Sequence, residues 1–309
     1  MERRVLEEGN ELSKRKATLF FSASSVGDYT TLRDFGIKDT LVSYFYLRKS
    51  LKFYPPQLEK QHKEGGIFMT DSGAFSFMGK KVEHKMITEE YWLPYLEEYV
   101  AWLHENKKFI FVAANLDLDM IVGREVVDRW NEKYFKPLEK DINVVYVVHQ
   151  DAQGDKTGLL RLKEYCQQHN YVGCNQTMKD NAAEIYRITN AYGTKVHGFA
   201  WTEMNLLQRF PFFSVDSVTW LGGTRFGTTY NYDGKNFSTI DYKHKYRRKA
   251  NRIKYEDAGL SMEDIRGEKR IPINNMNLLG WLGFRREFLK IAHCKLKNKP
   301  VLYYDKTRR

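Results

Sequence analysis

Residues 143–150 read NVVYVVHQ and residues 109–117 read FIFVAANLD. Each is a short apolar run, rich in β-branched and aromatic side chains, that ends in polar residues able to do chemistry. That texture belongs to a strand buried on both faces and open only at its C-terminal end. Outward from these two, the pattern recurs as LFFSAS (19–24), TLVSYFYL (40–47), GIFMTDSG (66–73), YVGCN (171–175), KVHGFAW (195–201) and SVDSVTW (214–220), eight runs in all. Helix-like segments separate them. TEEYWLPYLEEYVAWLHEN (88–106) sets Tyr91, Tyr95, Tyr99 and Trp102 at helical spacing and reads as a core face. DNAAEIYRITNAYG (180–193) predicts a helix from an Asp cap to Gly193, and TEMNLLQRF (202–210) predicts one capped by Thr202. Buried strands alternating with helices imply a parallel sheet covered on both sides, and eight of them fit a closed α/β barrel of the (β/α)8 TIM type. An open doubly wound sheet is the competing reading, but no GxGxxG follows the first strand.

The 309 residues are 42% apolar and 15% aromatic, enough for a sizeable core and against global disorder. No run of 18 apolar residues predicts a membrane span. The opening MERRVLEEGNELSKRK has no apolar leader core, and Cys166, Cys174 and Cys294 are too few and too far apart for a disulfide framework. A cytoplasmic protein is therefore expected.

Lysine and arginine exceed the acids by 50 to 39, a net charge of +11, which favours a polyanionic partner over mere solubility. After residue 220 the texture changes. WLGGTRFGTTYNYDGKN reads as loop, DYKHKYRRKANRIKY (241–255) as a basic run with interleaved aromatics, and 274–299 as a last helix. The expected division is a catalytic barrel over 1–225 and a basic extension over 226–309 that packs on it and contacts nucleic acid. Lys245, Arg247, Arg248, Lys249 and Arg252 are candidate contacts to a nucleic-acid backbone. Arg225 in GGTRFG is another, although a plain turn with a surface arginine accounts for it equally well.

In such a barrel chemistry sits at the C-terminal strand ends. There the sequence offers Asp71, Asp117, His149, Gln150, Gly173, Asn175 and, inside FFSVDSV, Asp216. Buried carboxylates are costly unless partnered, so three at one barrel mouth need a reason. Asp71 before Ser-Gly is also a good turn or cap residue. Two carboxylates at one site suit a reaction at a sugar anomeric carbon, one attacking or stabilising and one moving a proton. That holds equally for glycosidases and for base-exchange enzymes. His149 reads either as a pocket residue or as a satisfied rim histidine.

At these residues the chain resembles the tRNA-guanine transglycosylase family. MTDSGAFSF is similar to the family's Asp-Ser-Gly-Gly-Tyr/Phe-Gln segment, NLDLD to its Asp-Glu-Cys segment and VVHQ to its Val-Gln-Gly strand end. YVGCN is similar to Ile-Gly-Gly, and KVHGFAW with FFSVDSVTW to Met-Gly-Val-Gly followed by Phe-Asp-Cys-Val. The matches keep their order over roughly residues 66–225. The resemblance implies a modified (β/α)8 barrel that exchanges guanine in a nucleic acid for a 7-deazaguanine. Asp216 would be the nucleophile and Asp71 the second catalytic aspartate. Asp117, or Asp119 two residues on, would grip the guanine edge. Gln150, the Gly173 backbone and His197 would be further base contacts, and Phe75 would stack on the base. A single carboxylate accepting N1–H and N2–H2 fits guanine. A flipped base stacked on an aromatic gains about 1–3 kcal/mol.

The departures have consequences. The family's Cys-x-Cys-x-x-Cys zinc spacing is missing, so no metal and no zinc subdomain are expected. His197 stands where the family has Met, and Ala74 where it has a second Gly. The shorter stretch after the barrel, without the family's metal-bound tRNA-contact region, resembles most the phage-type DNA 7-deazaguanine transglycosylases (DpdA). DNA is thus the expected partner ahead of tRNA, with a 7-deazaguanine such as preQ0 as co-substrate and no cofactor. The competing functions are a tRNA-guanine transglycosylase, a nucleoside or sugar glycosidase using the same carboxylates, and a basic DNA-binding protein without catalysis, which would have no use for Asp71, Asp117 and Asp216.

Overall fold

Eight parallel strands close on themselves in chain order, β1 (Thr18–Ala23), β2 (Thr40–Val42), β3 (Phe68–Thr70), β4 (Val112–Ala114), β5 (Asn143–Val148), β6 (Tyr171–Cys174), β7 (Lys195–Gly198) and β8 (Ser214–Ser217). This is the expected (β/α)8 barrel. The computed structural model describes residues 18–78, 84–150, 155–234 and 237–297, less positions 242, 245, 247, 248, 250, 251, 258–260, 262 and 264–269. Closure is made by the Thr18 N–H, which donates to Phe213 O at 3.0 Å. Phe20, Leu41, Ile67, Met69, Val112, Ala114, Val145, Val147 and Tyr171 fill the interior. They follow the period-two alternation that sends every second side chain inward.

The helix Glu89–Asn106 shows how the sheath is held. Its face of Trp92, Tyr95, Leu96, Tyr99, Trp102 and Leu103 is buried, while Tyr91 remains 43% exposed. Two of its phenols reach strand ends, Tyr95 OH donating to Ser72 O at 2.6 Å and Tyr99 OH to Ala114 O at 2.9 Å. The helix Ala182–Tyr192 stops at Gly193, whose φ of +67° suits glycine.

Some expected elements differ. TLVSYFYL is strand only to Val42, and Tyr44–Leu47 turns helical. There Tyr44 packs on Tyr95, Tyr99 and Trp102, so tertiary contacts override local β-propensity. The strand at 214–220 ends at Ser217 and passes into a 3₁₀ turn, Thr219–Leu221. Helix starts also shift. Asn181, not Asp180, precedes Ala182, and Glu203, not Thr202, precedes Met204. The last helix runs over Arg270–Lys297.

The chain divides into two compact units. One holds the described residues up to Trp201 with Phe212–Asp216, and the other holds Thr202–Pro211 and Ser217–Lys299. In the second, the stretch read as loop forms an antiparallel hairpin of β9 (Thr229–Tyr232) and β10 (Phe237–Ile240), pairing Tyr232 with Phe237. The hairpin lies on the helix Arg270–Lys297, where Asn277 Oδ1 accepts from Tyr230 N–H at 2.7 Å. Trp281 and Phe284 pack on Phe237. A Cβ on Gly280 would sit 3.0 Å from Tyr230 O, so the close approach favours glycine there. No described helix is long and apolar enough to cross a membrane.

Candidate active site

Asp216 lies in β8, with 12% of its side chain exposed. Ser22 Oγ, from β1, donates to its Oδ2 at 2.8 Å, and the backbone N–H of Ala200 donates to Oδ1 at 2.8 Å. Ala200 has φ +58°, the one described non-glycine residue with positive φ. An alanine held there costs on the order of 1 kcal/mol. The turn is fixed from both sides. A Cβ on Gly198 would sit 2.8 Å from Trp201, so its absence lets the indole fold back, and Trp201 Nε1 then donates to Asn175 O at 3.0 Å. The strained residue is thus locked with its N–H on the carboxylate.

Asp71 follows β3 and is half-buried. Its Oδ1 accepts from Gly73 N–H at 2.7 Å, so the turn role is real. It does not exhaust the residue. Burial pushes the Asp71 carboxyl up to about 6, against the pull of the Ser43 hydroxyl and the Gly73 N–H, and the charges of Asp216 and Asp117 add to the rise. The three aspartates expected at the mouth therefore lie within electrostatic reach of one another.

Asp117 is buried beyond β4. Its Oδ1 accepts from Ser72 Oγ at 3.2 Å, and its Oδ2 lies 2.7 Å from His149 Nε2. The other imidazole nitrogen, Nδ1, lies 2.7 Å from Asn175 Nδ2, and Thr177 Oγ1 donates to Asn175 Oδ1 at 2.7 Å. With the Asn175 amide so oriented, Nδ1 accepts and the proton sits on Nε2 facing Asp117. Burial pulls the His149 pKa down, but the hydrogen bond to Asp117 and the charges of Asp117 and Asp119 outweigh it and leave it raised. His149 is thus an integral part of the cluster. Sequence reading missed Ser22, Ser72 and the Ala200 amide, because serines and backbone donors carry no pattern of their own.

Asp119 is not a strand neighbour of Asp117. It opens a short helix, Asp119–Val122, and reaches the cluster with Oδ1 3.8 Å from His149 Nε2. Oδ1 is buried and has no hydrogen-bond partner among the described residues, and burial raises its carboxyl pKa.

Two expected base contacts lie inside the barrel strands. Gly173 sits inside β6, paired with Val147 and His197, and a Cβ there would meet Phe199 Cε2 at 2.6 Å and Val145 Cγ1 at 2.8 Å. Its bareness makes room for Phe199. His197 has 0% side-chain exposure and lies in the barrel interior, 3.4 Å from Asp216 Oδ1, so it has no surface to offer a base. Gln150 is half-buried just past β5, and Phe75 is 85% exposed at the start of the helix Phe75–Met78.

In the second unit Arg225 is exposed on the short helix Gly222–Phe226, where Gly222 and Gly223 are filled against by Tyr230 and Ile273. Lys249 is exposed, and Arg252 lies 3.7 Å from Glu256. Lys245, Arg247 and Arg248 lie outside the described residues. Among the described residues no group of three or more His, Cys, Asp or Glu is placed to hold a metal ion.

No protein-family model matches the sequence, and no curated protein matches it. Among solved structures, KGPDC from Streptococcus mutans is similar at 9% identity and a TM-score of 0.37, over 65% of this chain and 87% of that chain. The site is therefore read from its own geometry.

Proposed function

We propose that the chain is a nucleic-acid base-exchange enzyme, a pentosyltransferase that replaces guanine in DNA with a 7-deazaguanine through a covalent aspartyl–C1′ intermediate. The observation that carries this reading is the pairing of two unlike carboxyls at one barrel mouth. Asp216 is aimed by donors from β1 and from the turn after β7, which suits a nucleophile. Asp71, raised to about 6, suits a group that gives and takes a proton near neutral pH. Asp117 or Asp119 would accept the paired N–H groups of guanine, Gln150 would add a contact, and the exposed Phe75 ring would stack on a flipped base. The net charge of +11 supports a nucleic-acid partner, DNA ahead of tRNA. No cofactor is called for, since the incoming base is the only co-substrate.

The test is nucleoside mass spectrometry of DNA, and separately of tRNA, incubated with the protein and candidate 7-deazaguanines such as preQ0. Deazaguanine in DNA is expected, together with a denaturation-resistant protein–DNA adduct when the incoming base is scarce. Asp216→Asn should abolish both while leaving DNA binding. Full exchange by that variant would overturn the nucleophile, and release of guanine without uptake of a base would make the protein a glycosidase.

A further inference from the structure

Beneath Asp216 a line of polar side chains runs into the apolar barrel. Tyr171 OH bonds Ser214 Oγ, which lies 2.7 Å from His197 Nδ1, and His197 Nε2 lies 3.4 Å from Asp216 Oδ1. The imidazole packs between Phe20 and Phe199, with ring centroids at 6.2 and 4.3 Å. Nε2 is buried and makes no hydrogen bond among the described residues. A buried polar atom left in that state calls for an explanation.

One order of donors along the line keeps a bare ring nitrogen from facing the Asp216 carboxylate. In it the Tyr171 phenol, kept protonated by burial, donates to Ser214. The Ser214 hydroxyl is then turned to His197 Nδ1. The imidazole proton is left on Nε2, 3.4 Å from Asp216 Oδ1 and not yet hydrogen-bonded to it. A separation of 3.4 Å is long, as catalytic hydrogen bonds often are before substrate binds.

We infer that His197 is a positioning residue for Asp216: when substrate engages the carboxylate its Nε2–H closes on Oδ1 beside the Ala200 N–H, leaving Oδ2, which among the described residues accepts from Ser22, as the attacking oxygen. This rests on the proposed function. In the first step Oδ2 forms a bond to C1′, the C1′–N9 bond breaks with its electron pair going to the departing guanine, and Asp71 supplies the proton. In the second, the incoming base gives its N9 proton to Asp71, bonds C1′, and the C1′–Oδ2 bond breaks to restore the carboxylate. Oδ1 is the ester carbonyl oxygen between the two steps. Donors aimed at it stabilise the carboxylate as a leaving group, so the covalent state stays short-lived.

Three variants test this: His197→Phe, His197→Gln, which keeps an N–H near the Nε2 position, and Ser214→Ala. Adduct decay on adding excess base is followed on denaturing gels, and the imidazole tautomer by 15N NMR of the free protein. His197→Phe should slow decay roughly 10- to 100-fold, with the KM for DNA little changed. His197→Gln should recover to within several-fold of the parent. Wild-type His197 should show a protonated Nε2, and Ser214→Ala should mix the tautomers. Equal slowing by Phe and Gln would overturn the inference in favour of plain packing, as would unchanged decay in the Phe variant or a proton found on Nδ1. A wild type that exchanges no base overturns the functional reading instead, and the tautomer then still decides the His197 arrangement.

Discussion

Replacing Asp71 with Asn should make the protein more stable and less active, in a pH-dependent way. The folded carboxyl titrates at about 6 against 3.8 for an ordinary aspartate, chiefly because it is buried. Between those values the folded state binds more protons than the unfolded state, so stability falls as pH rises through the window. Roughly two units at about 1.4 kcal/mol each make the ionised Asp71 cost up to about 3 kcal/mol at pH 8, and the half-buried position reduces that somewhat. Asn carries no charge, escapes repulsion by Asp216 and Asp117, and retains an oxygen for the Gly73 N–H, 2.7 Å away. Urea unfolding of both proteins should therefore show the variant ahead by about 1–3 kcal/mol at pH 8 and level with the parent near pH 4. Base exchange should fall roughly 10²- to 10⁴-fold, as when a positioned acid or base is removed. A variant no more stable at pH 8, or equally favoured at both pH values, would refute the argument that burial holds the Asp71 proton.

Three further outcomes are expected. Asp117→Asn should lose about 1–3 kcal/mol of affinity for guanine-like bases in competition assays, because an amide donor then faces donors. If Asp119→Asn is damaging and Asp117→Asn silent, Asp119, with its unpartnered Oδ1, grips the base and Asp117 serves to hold His149. Gly173→Ala should cost about 1–3 kcal/mol in denaturation by pressing on Phe199 and Val145. Neutralising Arg247, Arg248 and Lys249 together should flatten the slope of log K against log salt for DNA by about two to three units, equally for all sequences, and an unchanged slope would move the DNA path elsewhere.

The barrel was legible because its strands are apolar throughout and the first polar residue marks each C-terminal end, as Thr70-Asp71 and Val148-His149 do. Strand lengths were not. Tyr44 carries β-propensity but is drawn into a helix by aromatic neighbours from Glu89–Asn106, contacts invisible in a linear sequence. The hairpin at 229–240 was hidden because Gly, Thr, Asn and Tyr mark turns as readily as short strands. At the site, side chains that announce themselves by charge were found, and their supports were not. Ser22 is 194 positions from Asp216, and Ala200 contributes only a backbone N–H. For Gly173 the resemblance implied a backbone role, and the room its missing side chain leaves for Phe199 is visible only in the fold.

The charges of the site and of the whole chain pull against each other, and the structure shows where the conflict is eased. Asp71, Asp117, Asp119 and Asp216 at one barrel mouth would repel a phosphodiester backbone. Their effective charge drops below four as the pH falls toward 6. There Asp71 begins to take up its proton. Asp119 is likewise shifted toward its neutral form, and Asp117 shares the Nε2–H of His149 at 2.7 Å. Charges beyond about 8–10 Å are screened at physiological salt, so on the proposed function an approaching strand would meet this partly neutralised mouth only at short range. At longer range it would meet a chain of net charge +11. A sugar hydrolase acting on neutral substrates would have no need of that excess, and a passive DNA binder no need of the acids. Both features are explained together when the anionic strand must be held while a neutral base and its C1′ are delivered to carboxylates.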